Sequence, residues 1–258
     1  MPQHTFKHSG TLGDIIYGLP IMRHFGGGKF YLHLDQINYL SKHYYGVEPP
    51  AFQRDRMRRS DFDFMRSFFE VQDYITSCEV LDPRTHEITH NLDRFRETFI
   101  RHPGNYVDCY ADTFNITDAT LKECLRQTPW LSVPEPKIIP GKVAVVNRTL
   151  RWTSPTLSNL WADWKDNGLD REAVFVGLPD EYQAFKTATG WNIDYYPCKD
   201  LLEMASVIAG AESFIGNQSA ALSIAVGLGV QFWCEGRKDL PIERNECYFP
   251  NQPNGFYF

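Results

Sequence analysis

The sequence contains no Gly-x-Gly-x-x-Gly run and no Gly-Lys-Ser or Gly-Lys-Thr. The dinucleotide fingerprint and the P-loop are thereby excluded. Six cysteines are present, but none forms a Cys-x-x-Cys pair. That removes the zinc-knuckle and disulfide-framework readings. A basic excess is missing too: 26 Lys and Arg stand against 32 Asp and Glu, a net charge of −6. A general nucleic-acid binder shows the opposite balance. Arg54, Arg56, Arg58 and Arg59 form one local basic patch, read as a solvated face. Long apolar runs are absent. The uncharged stretch from Ser213 to Cys234 holds Asn217 and Gln218 and is too polar to span a membrane. Met1-Pro2-Gln3-His4 lacks the apolar core of a signal peptide. With cysteines set in apolar runs, these absences lead us to expect a soluble, reduced, cytoplasmic protein. Internal repeats, coiled-coil heptads and low-complexity tracts are also lacking.

What is present is a chain of 258 residues, long enough for two modest domains with buried cores. Its aromatic content of 14% suits binding clefts. Val133 to Lys142 carries three prolines and a glycine and reads as a linker. We place the domains at residues 1–135 and 136–258. After the linker, Val143-Ala144-Val145-Val146 is a continuous apolar run, the mark of a buried parallel strand. Strands and helices then alternate. LSNLWADWKDNG, PDEYQAFKTATG, KDLLEMASVIAGA and SAALSIAVGLG read as helices; AVFVGL, IDYYP, SFIG and VQFWCE read as strands. That alternation predicts an α/β fold with a doubly wound parallel sheet. The first half opens alike, with a strand at Thr5–His8, a glycine loop and an apolar helix run closed by Leu19-Pro20. The strand KFYLHL follows, and Pro49 to Thr113 is less regular.

Four loops follow predicted strands: Ser9–Asp14, Asn147–Ser154, Gly177–Glu181 and Gly216–Ser219. Ligands in such sheets sit at the C-terminal ends of strands. The last loop opens a helix, whose N–H groups and dipole favour a phosphate; Ser219 would serve equally as a helix cap. Arg148 and Arg151 suit bidentate phosphate contact, or a surface ion pair. Glu235 ends a strand and could accept hydrogen bonds from ribose hydroxyls, or be a plain surface acid. The candidate ligand-binding residues at these strand ends are Gly13, Arg148, Thr149, Arg151, Gly177, Asn217, Gln218, Ser219 and Glu235, and none is read as a metal ligand. Separately, His86-Glu87-Ile88-Thr89-His90 matches the His-Glu-x-x-His zinc motif letter for letter. The motif needs a helix to place both imidazoles on one face. Asp82-Pro83 and the β-branched Ile88-Thr89 favour an extended segment instead.

GTLGDIIYGLP resembles the N-terminal loop of the bacterial ADP-heptose:lipopolysaccharide heptosyltransferase family, with its Gly-Asp, apolar run and proline. LLEMASVIAGAESFIGNQSAALSIAVGLGV resembles the C-terminal signature of the same family. The resemblance implies a GT-B-like α/β fold: two Rossmann-like domains, each with a parallel sheet, facing a central cleft. It implies acceptor binding by the N-terminal domain and nucleotide-sugar binding by the C-terminal one. The reaction it implies is inverting, metal-independent and cofactor-free glycosyl transfer from a nucleotide-diphosphate donor to a hydroxyl acceptor of glycan type. Asp14 falls on the family's proposed general base. Gln218, Ser219 and Ala220 fall on its Asp-Thr-Gly donor turn, and Ser223 stands where it has a histidine. The altered turn carries over the reaction class rather than the sugar. It also motivates a second reading, a nucleotide-sugar-binding module without catalysis; a zinc hydrolase through His86, Glu87 and His90 is the third. A helix cap is the bland role for Asp14.

Overall fold

In the computed structural model, residues 4–35, 57–99, 106–150, 152–154, 156–236 and 254–258 are described. The chain divides into two compact units, Met1–Gln127 and Thr128–Phe258.

In the first unit, strand β1 (His4–His8) leads into helix α1 (Leu12–His24), and β2 (Gly28–Leu32) follows. Helix α2 (Arg59–Glu70) precedes β3 (Ile75–Val80). A two-residue strand β4 (His90–Asn91) runs into a tight 3-10 turn at Leu92–Arg94. Helices α3 (Phe95–Phe99), α4 (Tyr106–Thr113) and α5 (Ala119–Arg126) complete the unit. The sheet order is β3-β2-β1-β4, with every pairing parallel. Parallel sheets need both faces covered, and α1 accordingly buries everything from Ile15 through Met22. The helix runs on through Pro20, where sequence placed the close of the run. Pro20 forfeits one helical hydrogen bond, but the apolar residues on either side of it are buried.

The second unit carries β5 (Ala144–Asn147), α6 (Asn159–Asp166), α7 (Leu169–Glu172), β6 (Ala173–Phe175), α8 (Pro179–Thr189) and β7 (Asp194–Tyr195). It continues with α9 (Leu201–Ala209), β8 (Ser213–Asn217), α10 (Ala220–Leu228), β9 (Gln231–Glu235) and β10 (Gly255–Tyr257). The six strands lie in the order β10-β9-β8-β5-β6-β7, again all parallel. Helix ends follow their sequence signals. Pro179 opens α8, and Gly190 and Gly229 close α8 and α10 with φ of 65° and 76°. A core of Ala144, Val146, Trp161, Phe175, Phe185 and Trp191 fills one face of the sheet.

The proline-rich stretch belongs wholly to this second unit. Lys137 N–H donates to Ser206 O (2.8 Å), and Trp130 and Leu131 N–H both reach Gly227 O. Glycines permit this close approach: a Cβ on Gly210 would lie 2.3 Å from Lys137 O. No described helix is long and apolar enough to cross a membrane.

Candidate functional site

Two side-chain clusters stand at the C-terminal ends of the strands, one in each unit.

In the first, β1 ends at His8 and the chain turns through Ser9-Gly10-Thr11 into α1. The helix begins at Leu12 with Thr11 as its cap position, so Asp14 lies in the first turn of the helix and is not its cap. An acid there is favoured by the helix dipole. Asp14 Oδ2 accepts from Arg96 Nη2 at 2.9 Å. No hydrogen bond reaches Oδ1 among the described residues. Arg96 Nη1 lies 3.1 Å from Asp93 Oδ1. Asp93 in turn accepts from Ser9 N–H and Ser9 Oγ, both at 2.9 Å, and pairs with Lys7 Nζ at 3.2 Å. Burial opposes the charge on Asp93, but the surrounding donors and cations hold its carboxyl far below the usual range. Burial likewise opposes the Arg96 charge, and the carboxylates of Asp14 and Asp93 outweigh it.

Behind Asp14 runs a chain of hydrogen bonds. Gly10 N–H donates to His8 Nδ1 (2.8 Å), His8 Nε2 meets Tyr110 Oη (2.7 Å), and Tyr110 O–H donates to the Asp14 carbonyl (2.7 Å). Only a neutral imidazole protonated at Nε2 satisfies all three. Burial lowers the His8 pKa to about 4, in agreement. The 3.4 Å approach of His8 Nδ1 to Asp93 Oδ1 is therefore no ion pair, because Nδ1 is already an acceptor. Gly10 is needed where it stands: a Cβ would lie 2.4 Å from Arg96 Nη2 and 2.5 Å from His8 Cε1. Gly13 has open space around it.

In the second cluster, Arg148 and Glu235 meet each other. Arg148 Nε donates to Glu235 Oε2 at 2.5 Å and Nη2 to Oε1 at 3.2 Å, with side-chain exposures of 8% and 1%. Trp161 Nε1 adds a third donor at 3.4 Å. Both are thus interior groups, not surface ones. Thr149 N–H donates to Asn217 Oδ1 (2.9 Å), and Asn217 Nδ2 donates back to Thr149 O (2.8 Å). Gly177, at φ 134°, could not carry a side chain: its Cβ would lie 2.5 Å from Asn147 Nδ2 and 2.8 Å from Glu181 Oε2. Burial raises the Glu181 carboxyl, against the Leu178 N–H that it accepts. Ser219 Oγ caps α10 by accepting from Leu222 N–H (3.2 Å). The N–H groups of Ala220 and Ala221 open that helix. Gln218 is 5% exposed. Arg151 lies outside the described residues, as do Arg54 and Arg56 of the basic patch.

The zinc motif does not form its helix. Residues 86–88 are irregular backbone and Thr89 is a bend leading into β4. His86 stacks on Tyr31 (4.3 Å between centroids) and His90 packs on Phe25 (4.4 Å). The described residues gather no group of three or more metal-ligating side chains.

Sequence reasoning missed Arg96, Asp93 and Tyr110, which reach Asp14 and its loop across 82 or more positions. His8 and Trp161 were also passed over. His8 abuts the glycine loop, so its place offered a signal.

No protein-family model and no curated protein sequence matches the chain. Solved structures do. A family 9 glycosyl transferase from Veillonella parvula aligns with TM-score 0.54 at 11% identity, over 100% of this chain and 86% of that one. The dodecameric, iron-containing glycosyltransferase TibC from enterotoxigenic E. coli aligns with TM-score 0.55 at 13% identity, over 98% of this chain and 62% of that one. TibC in complex with ADP-D-beta-D-heptose gives 0.54 at 15% identity, over 95% and 61%. At such identities the likeness is one of fold: the chain shares the α/β architecture of these glycosyltransferases, with two Rossmann-like parallel sheets.

Proposed function

We propose that this chain is an inverting, metal-independent glycosyltransferase, moving a sugar from a nucleotide-diphosphate donor to a hydroxyl acceptor. The observation that carries this is Asp14. Its carboxylate stands at the end of the first strand on a glycine loop, with one oxygen held by Arg96 and the other unengaged among the described residues. The likeness of fold to glycosyltransferases over the whole chain supports it.

A hydroxyl is a poor nucleophile until its proton is removed. Asp14 takes that proton, and the acceptor oxygen attacks the anomeric carbon. The bond to the diphosphate breaks, and its electron pair leaves on the nucleoside diphosphate. One displacement inverts the anomeric centre. The N-terminal unit provides the base and binds the acceptor. The C-terminal unit binds the donor, with the diphosphate at the start of α10 and Gln218 toward the sugar. That turn offers backbone N–H groups and the Ser219 hydroxyl, which stabilise a leaving anion without a metal. In this reading Arg148 shapes the loop through Glu235, and Glu181 joins the set near the donor.

A panel of ADP-, GDP-, UDP- and dTDP-sugars, with chelator present, provides the test. Wild-type protein should release nucleoside diphosphate from at least one, since water can replace the acceptor. Asp14→Asn should keep the fold and donor affinity while slowing release by about a hundredfold or more. One observation favours a second reading, a nucleotide-sugar-binding module without transfer: the buried Glu235 sequesters Arg148. Binding of a sugar nucleotide without any release would select it.

A further inference from the structure

Arg96, Asp14 and Asp93 form a cluster of three charged, little-exposed groups. The side chains of Arg96, Asp14 and Asp93 are 11%, 18% and 14% exposed. The guanidinium also lies over the Phe95 ring, 4.5 Å from its centroid. It is thus held on one face by an aromatic ring and along its edge by two carboxylates. A buried ion cluster is weak evidence for stability, because desolvation offsets much of the attraction. Its geometry is specific instead. A planar fork fixes both partners in direction as well as distance.

We propose that Arg96 is the positioning residue of the base: it fixes Asp14 Oδ2, so that Oδ1 alone is presented to the acceptor hydroxyl. The inference rests on Asp14 being that base. Arg96 takes no proton. The acceptor proton passes to Oδ1 while the new glycosidic bond forms and the diphosphate departs. When Asp14 is neutralised in this way, Arg96 keeps Asp93 as its counter-ion. Arg96 then still has a carboxylate beside it, shared with Lys7, and this gives Asp93 a definite part. The other groups facing the pair are Lys7 and His8 from β1 and Tyr110 from α4. Lys7 is committed to Asp93, and His8 and Tyr110 are committed to the hydrogen-bond chain that ends on the Asp14 carbonyl.

The test compares wild type, Asp14→Asn, Arg96→Ala, Arg96→Lys and the Asp14→Asn/Arg96→Ala double variant. Each is assayed with the sugar nucleotide of the panel that wild type turns over fastest. Arg96→Ala should lower kcat by about tenfold to a hundredfold and leave the donor KM within about twofold. Added guanidinium should restore part of that loss in Arg96→Ala and none in the double variant. Arg96→Lys should stay slow, because an ammonium cannot fork between two carboxylates; it also keeps the cation if the alanine variant fails to fold. The double variant should be no slower than Asp14→Asn, since residues acting as one unit are not additive. Fully additive losses, or a loss confined to KM, would overturn the inference. If Asp14→Asn is slow while both Arg96 variants match wild type, the inference falls alone. If Asp14→Asn matches wild type, or wild type releases nothing from any donor, the reading of the site falls with it.

Discussion

His8 has no accessible surface and is fixed as a neutral ring by the donors and acceptors around it. Its folded pKa, about 4, lies below the ordinary value of 6.5. The unfolded chain therefore binds a proton that the folded one refuses between those values. Stability from this residue is fully present above pH 6.5 and is lost as pH falls toward 4, by about 3 kcal/mol. Urea midpoints measured from pH 7 to 4 should fall less steeply for His8→Gln than for wild type. His33 and His90, also lowered by burial, remain in both proteins and cancel in the comparison. A parallel fall in both would mean that His8 is not neutral in the fold. At this scale the sequence was half legible. Asp14 could be picked out because Gly-Asp before an apolar run is a local pattern. Arg148 and Glu235 each stood out as well, but their partnership spans 87 positions and has no local trace. Arg96 looks like any arginine in a charged stretch until the fold brings it beneath Gly10.

The elements of the second unit were legible because each carries its own signal. Val145 and Val146 mark a strand buried on both faces, and Asp200 and Ser219 accept from the third N–H of their helices. The first unit hides more. β3 reads ITSCEV, with polar residues that blur the period, and β4 has two residues, too few for any pattern. Neither strand could be placed from composition. Both are held by their neighbours: β3 against β2, and β4 against β1 through Phe6–His90 and Lys7–Asn91. Gly216 shows how tightly such pairings are set. A Cβ there would lie 2.0 Å from Asn147 O, a backbone atom that cannot swing aside. Gly216→Ala should force β5 and β8 apart and destabilise the protein by about 1–3 kcal/mol. Chemical denaturation measures this directly, and an unchanged midpoint would show that the strands yield without cost.

In both sheets the first strand of the unit ends up inside, and every pairing is parallel. A parallel pair cannot be closed by a two-residue hairpin. β1 acquires its β4 neighbour only through contacts such as Thr5 with Thr89, 84 positions away. Beside β5, Thr149 waits for Asn217, 68 positions on. Loop-closure entropy must be met before such contacts return anything, so refolding is expected on the millisecond-to-second scale or slower. Until then Ala144, Val145 and Val146 form an apolar strand with an open edge, a template for strands of other chains. Refolding from urea should accordingly be slow and lose yield as protein concentration rises, which light scattering during stopped-flow dilution would detect. Fast refolding with a yield independent of concentration would contradict it. The strand order that sets the candidate loops side by side thus also decides when the chain is most vulnerable: in the interval before its own later segments have arrived to occupy those edges.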